Sequence, residues 1–81
     1  MEMYSIQDQK SGEFTPPFVS PNNATAMRSF ESTARNASGD LQTHPEDFAL
    51  WHIGSFDQFE GTVKAVPRKC LGHASDFFVG E

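Results

Sequence analysis

Polar and apolar side chains alternate near the start of the chain, over residues 3–8. Tyr4 and Ile6 fall on one side of this segment, while Ser5 and Gln7 fall on the other. A period of two residues is typical of a strand that buries one face. The pattern therefore predicts a first strand over these residues.

The segment from residue 15 to residue 21 contains three of the five prolines in the chain. Proline has no backbone N–H and cannot donate to a sheet ladder, so a central strand is disfavoured here. We expect a turn at residues 10–13, followed by an extended edge strand or loop that Phe18 anchors.

A helical pattern follows over residues 23–37. Apolar side chains there recur at intervals of three and four residues, which places them on one face of a helix. Asn22 or Asn23 offers an N-cap, and Gly39 stands where a glycine would end the helix. The chain thus predicts one good helix, whose apolar face consists of Ala26, Met27, Phe30, Ala34 and Ala37.

The longest apolar segment covers residues 48–56, and its aromatic and β-branched content favours a strand. Trp51 and Ile53 alternate onto one side, whereas Leu50 and the phenylalanine that ends the segment share the other. Either both faces are covered, or the phase of the strand changes within it. We expect a bulge at Gly54, because a glycine inside a strand often marks one.

A hairpin is predicted next. Residues 57–61 form its connection, and Gly61 suits a left-handed backbone conformation. Residues 62–66 return as the partner strand, which Pro67 is expected to end. The last apolar segment, residues 75–79, fits either a helical turn or a short strand.

These elements predict a single α+β domain over residues 1–81, in which a small antiparallel sheet of three to four strands packs against one helix. Eight Phe, one Trp and one Tyr supply an aromatic core. A chain of 81 residues is near the lower limit for a core without metals or disulfides. We therefore expect a homo-oligomer, which would bury further surface.

Charge and cysteine usage restrict the classes of function. Six Lys and Arg against eleven Asp and Glu give a net charge of −5, which opposes non-specific phosphate binding because that binding depends on basic residues. Cys70 is the single cysteine and cannot form an intramolecular disulfide. Since no signal-peptide pattern and no long apolar run occurs, we expect a cytoplasmic protein.

Several short motifs occur in a distinctive order. They are an N-terminal Met-Tyr-Ser-Ile strand, Pro17-Phe-Val-Ser-Pro21, a helix with Phe30, His44-Pro-Glu-Asp47, and Leu50-Trp-His-Ile-Gly-Ser-Phe-Asp57 followed by Gly61. In this order they resemble the small nonstructural protein of gokushovirus-type microviruses, which are tailless icosahedral phages with single-stranded DNA genomes. The resemblance covers nearly the whole chain.

The resemblance implies a nonstructural role in the host bacterial cytoplasm, supporting replication or packaging of single-stranded DNA, with DNA binding presumed. This chain departs from the usual hairpin by placing Phe59 in the turn, where polar residues are expected. An exposed Phe59 is a candidate contact for a partner protein. The alternative function is a protein-interaction module that engages a phage or host replication or assembly protein without contacting DNA.

Binding of single-stranded DNA requires cations beside aromatic rings on which bases stack. The residues that we predict to meet phosphates are Arg28, Arg35, Lys64, Arg68 and Lys69. The two arginines of the helix lie in a polar stripe that is alternatively a solvated face. The aromatic candidates on the sheet, which alternatively belong to the core, are Tyr4, Trp51, Phe56 and Phe59.

Metal and catalytic chemistry find little support in the sequence. Cys70 and His73, joined by His44 or His52, are ligand types that zinc accepts, but a second closely spaced pair is missing. No nucleophile elbow, P-loop or dinucleotide motif occurs. We expect no metal, no cofactor and no enzymatic activity. The acidic residues are expected to serve in turns, where their side chains form local hydrogen bonds.

Overall fold

The computed structural model describes residues 1–36 and 40–78. In chain order its elements are β1 (Glu2–Asp8), β2 (Phe18–Ser20), α1 (Asn23–Asn36), α2 (Asp40–Thr43), a 3-10 helix (Pro45–Asp47), β3 (Phe48–Asp57), β4 (Thr62–His73) and a second 3-10 helix (Ala74–Phe78). The strands form one antiparallel sheet in the order β2-β1-β3-β4. The predicted α+β class is confirmed.

The alternating N-terminal segment forms β1, a central strand between β2 and β3. Tyr4 lies opposite His52, and Ile6 lies opposite Leu50. Side chains of directly opposed residues share one face of a sheet, so these four belong to the side that buries Tyr4 and Leu50 completely.

The proline-rich segment contributes β2, a three-residue edge strand. This confirms the predicted extended edge, and the prolines flank this short strand and take no part in its ladder. The Phe18 ring lies 5.8 Å from the Tyr4 ring, which confirms Phe18 as the anchor.

The helix α1 begins where the capping residues predicted. Asn22 Oδ1 accepts a hydrogen bond from the Thr25 amide at 2.9 Å, so Asn22 is the N-cap. The side chain of Asn23 instead accepts a hydrogen bond from the Tyr4 hydroxyl at 2.7 Å. The predicted last helical residue, Ala37, and the predicted terminating Gly39 lie outside the described residues.

The core lies between α1 and one face of the sheet. Phe30 of α1 packs here, and its ring meets the Phe77 ring of the second 3-10 helix at 5.6 Å. Residues 74–78 form a 3-10 helix. Of the two conformations expected for residues 75–79, a helical turn or a short strand, the structure therefore has the helical turn. Val79 lies outside the described residues. The buried residues of this core are Tyr4, Ala26, Phe30, Ala34, Leu50 and Ala74.

The predicted irregularity at Gly54 is confirmed. The pairing of β1 with β3 shifts between Met3 and Tyr4, which lie opposite Gly54 and His52, so that Ile53 is the extra residue. A Cβ atom on Gly54 would come within 2.8 Å of the Lys64 carbonyl oxygen. The close approach of two backbones therefore requires glycine here.

The return strand β4 continues to His73, so the prediction that Pro67 ends it is wrong. Its pairing with β3 moves from Ala65 opposite Gly54 to Lys69 opposite His52. Pro67 lies in this interruption on an edge strand, where its missing N–H removes no ladder hydrogen bond. No helix within the described residues is long and apolar enough to cross a membrane.

Candidate functional site

The two faces of the sheet differ in what lies against them. The covered face carries Tyr4 and Leu50 and packs on α1. The open face is the opposite side, which carries Ser5, Trp51 and Ile53, because Ser5 lies opposite Trp51 and alternates with Tyr4. The candidate site lies on the open face.

A loop tied to β1 brings one more ring to the open face. The turn predicted at residues 10–13 folds the chain back, so that Phe14 forms a bridge with Gln7. Thr15 fixes this return, since its amide donates to the Ile6 carbonyl at 2.9 Å and its Oγ1 accepts from the Ile6 amide at 3.0 Å. The Ser5 hydroxyl donates to the Thr15 carbonyl oxygen at 2.7 Å.

Three side chains form a cation–aromatic group, which we call the Arg68 cluster: Phe14, Trp51 and Arg68. The Phe14 and Trp51 rings meet edge to face with centroids 6.2 Å apart. The Arg68 guanidinium carbon lies 5.4 Å from both centroids, within the range of a cation–π interaction. The cluster thus combines two rings and one charge on a single surface.

The rings of the cluster differ in exposure. Phe14 is 36% exposed, and Trp51 is half-buried with its Nε1 atom enclosed and without a hydrogen-bond partner among the described residues. Trp51 is therefore held by packing and by Arg68, and it lies on the opposite side of the sheet from the core under α1.

An open depression lies beside the cluster. It has a volume of about 340 Å³ and is mostly apolar. We call it the Arg68 pocket, and its lining residues are Ser5, Phe14, Thr15, Ile53 and Arg68. Within the described residues Arg68 has no carboxylate partner, and a guanidinium stacked on rings keeps its N–H edge available for an anion.

The five predicted cations do not share one side of the molecule. Arg28 and Arg35 lie on α1, which packs on the covered face. Arg35 also pairs with Glu31 at 2.9 Å and donates to the Phe77 carbonyl oxygen at 2.7 Å. Arg68 belongs to the open face, on the opposite side.

Lys64 and Lys69 are exposed on the edge strand β4, with Ser55 and His52 opposite them. His52 and Ser55 lie opposite Tyr4 and Glu2 of β1, so both lysines fall on the side of the sheet that carries Tyr4, whereas Arg68, next to Lys69, lies on the open face. Their position was predictable from the hairpin, but the side of the sheet that each one occupies was not.

The predicted aromatic platform is corrected by the structure. Tyr4 is fully buried and cannot stack on a base. Burial, and then the negative charge of Glu2, raise the pKa of its hydroxyl above 10.0. Phe14, which the sequence reasoning did not single out, takes part instead, and the signal for it was the turn at residues 10–13.

A second exposed feature is the connection between β3 and β4, residues 57–61, which we call the Phe59 tip. Phe59 is 100% exposed, as expected. Asp57 Oδ1 accepts hydrogen bonds from the amides of Phe59 at 2.9 Å and Glu60 at 3.1 Å. Gly61 has a positive φ of 70°, as predicted. The tip therefore holds an apolar ring in solvent on an ordered turn.

Among the described residues, the side chains considered for zinc do not come together as a group of three ligands. His52 Nε2 lies 2.8 Å from Glu2 Oε1, and His73 Nε2 lies 3.0 Å from Gln9 Oε1. Cys70 Sγ is 4.0 Å from the Gly72 carbonyl oxygen. Each of these side chains has a local polar neighbour.

A different trio comes together at the first 3-10 helix. Ligand-type atoms of His44, Glu46 and Asp47 lie within 4.8 Å of one another. His44 and Glu46 are exposed, and acidic residues at such turns are common for local hydrogen bonding and solvation. The trio belongs to the turn of the first 3-10 helix and adds no site.

A family model described as Phage ORF5 protein matches residues 1–77, so the chain belongs to this family of phage proteins. The match covers both features described above, the Arg68 cluster and the Phe59 tip. No curated protein and no solved structure matches the chain.

Proposed function

We propose that this phage ORF5 family member is a nonstructural accessory protein of a gokushovirus-type microvirus. In this proposal it acts in the host bacterial cytoplasm, where it supports replication or packaging of the single-stranded DNA genome by binding single-stranded DNA on the open face. The observation that carries the proposal is the Arg68 cluster, with its guanidinium 5.4 Å from two aromatic centroids.

The chemistry of the cluster suits an unpaired strand. Every base has a π-face that stacks on an aromatic side chain, and such stacking contributes about 1–3 kcal/mol per base. The Phe14 ring is the exposed stacking surface. Arg68 supplies a planar fork for a phosphate, because guanidinium groups bind phosphate oxygens in pairs.

The net charge of −5 limits the electrostatic part of binding. If Arg68 is the cation of the open face that neutralises a phosphate, the logarithm of the binding constant falls with the logarithm of salt concentration with a slope of about −0.7. This is a shallow dependence. The proposal therefore relies on stacking for most of the affinity and on few phosphate contacts.

The test uses the single tryptophan of the chain as the reporter. Fluorescence anisotropy with a labelled single strand at low salt measures affinity, and quenching of Trp51 reports contact with the open face. We expect Arg68→Ala to weaken binding roughly tenfold, by removing both a phosphate contact and support for the rings. The salt slope should also become shallower by about 0.7.

Arg28→Ala is the matched control, because it removes the same charge from α1 on the other side of the sheet. It should leave affinity and Trp51 quenching nearly unchanged. Equal weakening by both variants would mean that only net charge matters. No binding at tens of micromolar wild-type protein would reject the proposal outright.

The proposal includes no catalytic role. Asp57, an acidic residue of the hairpin connection, accepts two backbone hydrogen bonds within its turn. A carboxylate in this arrangement organises the hairpin, and this local role accounts for its presence.

One observation favours a second function, a protein-interaction module that engages a phage or host replication or assembly protein without contacting DNA. It is the complete exposure of Phe59 at the end of the hairpin. Binding through an apolar ring should change little with salt, whereas strand binding weakens with salt. Retention on a single-stranded DNA column across a salt gradient separates the two functions.

A further inference from the structure

We propose that the Phe59 tip of one copy docks into the Arg68 pocket of a second copy. The chain carries both halves of this contact: an exposed aromatic ring on an ordered turn and an apolar depression of about 340 Å³. A cavity of roughly 150 Å³ is enough to bind benzene. The pocket therefore has room for a phenyl ring.

The charges around the ring and the pocket are complementary. Asp57 and Glu60 flank Phe59 and are exposed, and neither has a cationic partner among the described residues. Arg68, at the rim of the pocket, lacks a carboxylate partner there as well. Docking the ring would bring the two carboxylates towards the guanidinium, which selects this copy-to-copy pairing over docking of a neutral or basic segment.

The tip cannot fill the pocket of its own chain. Ile53, which lines the pocket, and Asp57, which begins the tip, both lie in β3. Four residues of strand separate them by roughly 13 Å, at about 3.3 Å per residue. The hydrogen-bonded hairpin keeps this separation, so the ring of a second molecule is the one that reaches the pocket.

The contact joins two different surfaces of the chain. Two such contacts close a twofold dimer if the tip of each copy reaches the pocket of the other. Otherwise the contact repeats from copy to copy and forms an open-ended assembly. One ring and one ion pair make a small interface. We expect a dissociation constant on the order of tens to hundreds of micromolar.

Sedimentation velocity over a concentration series without DNA tests the proposal. Phe59→Ser should weaken association roughly tenfold or more, because a central aromatic anchor carries much of the energy of a small interface. Val19→Ser is the control, since Val19 is also an exposed apolar side chain, 47% accessible, and it lies on the edge strand β2. It should leave association unchanged.

A charge exchange tests the pairing itself. Arg68→Glu and Glu60→Arg should each weaken association roughly three- to tenfold. An equimolar mixture of the two variants should recover association, because the unaltered tip of the Arg68→Glu variant then meets the unaltered pocket of the Glu60→Arg variant, and the two exchanged charges attract one another in the reciprocal contact. Arg28→Glu, with the same charge change on α1, controls for net charge.

Two outcomes would overturn the proposal. One is a wild-type protein that stays monomeric at several hundred micromolar, and the other is association that survives Phe59→Ser unchanged. A mixture of Arg68→Glu and Glu60→Arg that stays as weak as either variant alone would also contradict the pairing. Circular dichroism of each variant checks that the fold is retained.

Self-association of this kind would also regulate strand binding, a consequence that rests on the proposed function. Arg68 and Phe14 belong both to the pocket and to the cluster, so a docked tip and a bound strand exclude one another. Added single-stranded DNA should then dissociate the oligomer. Association is measured without DNA, so the docking proposal can still be confirmed or rejected if the protein does not bind DNA.

Discussion

The two faces of one sheet use aromatic side chains in opposite ways. On the covered face Tyr4 of β1 and Phe30 of α1 are 0% and 1% exposed, and both belong to the core between the sheet and α1. On the open face Phe14 and Trp51 stay partly accessible and stack against Arg68. The first pair closes a core, whereas the second pair keeps a charged group at the surface of the sheet.

The comparison shows how a chain of 81 residues divides its apolar surface. One helix covers one face of a four-stranded sheet, so the other face depends on a loop and on the stem of an arginine for partial cover. Arginine suits this position because its aliphatic part packs while its charge stays in water. Stability is expected to depend on the covered face and binding on the open face.

The largest expected effect compares one phenylalanine from each face. Phe30→Ala should lower the free energy of unfolding by about 3–5 kcal/mol, since it empties a buried site. Phe14→Ala removes the same atoms from a partly exposed site and should cost about 1 kcal/mol. Urea unfolding followed by far-ultraviolet circular dichroism measures both. Equal losses would show that the two faces do not differ in the way described.

The next effect concerns the bulge that changes the phase of β3. Gly54→Ala should lower the free energy of unfolding by about 1–3 kcal/mol, because the new Cβ would collide with the Lys64 carbonyl oxygen at 2.8 Å. Gly61→Asn is the control, since a Cβ there meets nothing within 4 Å and asparagine tolerates the left-handed conformation. A stable Gly54→Ala protein would contradict the close contact of the strands.

Side-chain periodicity was enough to predict the covered face. Tyr4, Phe30 and Ala34 follow periods of two and of three to four residues, and these periods directly report which side is buried. The bulge near Gly54 was also predictable, because the apolar side chains of this strand change sides within it and such a change requires an irregularity in the pairing. The helix cap and the left-handed glycine of the hairpin followed from equally local rules.

The open face could not be predicted in the same way. Phe14 reaches Trp51 only because a turn and the Thr15 hydrogen bonds return the chain beside β1, and this pairing depends on residues that are distant in sequence. The length of β4 was underestimated because Pro67 was expected to end it. The strand tolerates this proline at a break in its pairing with β3, and such a break cannot be read from the sequence of one strand alone. The five cations were identified, but their division between the two sides depends on the packing of α1 and on the register of β4 with β3.

The smallest expected effect sharpens the comparison at the edge of the covered face. Tyr4→Phe removes the hydrogen bond from its hydroxyl to Asn23 and should cost about 1 kcal/mol at neutral pH. The same residue predicts an alkaline effect, because burial and then Glu2 raise its pKa above 10.0. Below pH 10 both the folded and the unfolded states keep the phenolic proton, so ionisation of Tyr4 does not alter stability there.

Above pH 10 the unfolded chain loses the phenolic proton first, which stabilises the unfolded state. The free energy of unfolding of the wild type should therefore fall as pH rises past 10, and the contribution of Tyr4 to this fall should be absent in Tyr4→Phe. Tyr4 is the single tyrosine, so tyrosinate absorbance follows it directly in native protein. Ionisation at the ordinary pKa in the folded state would show that the ring is open to solvent, and the distinction between the two faces would then fail at its most buried aromatic residue.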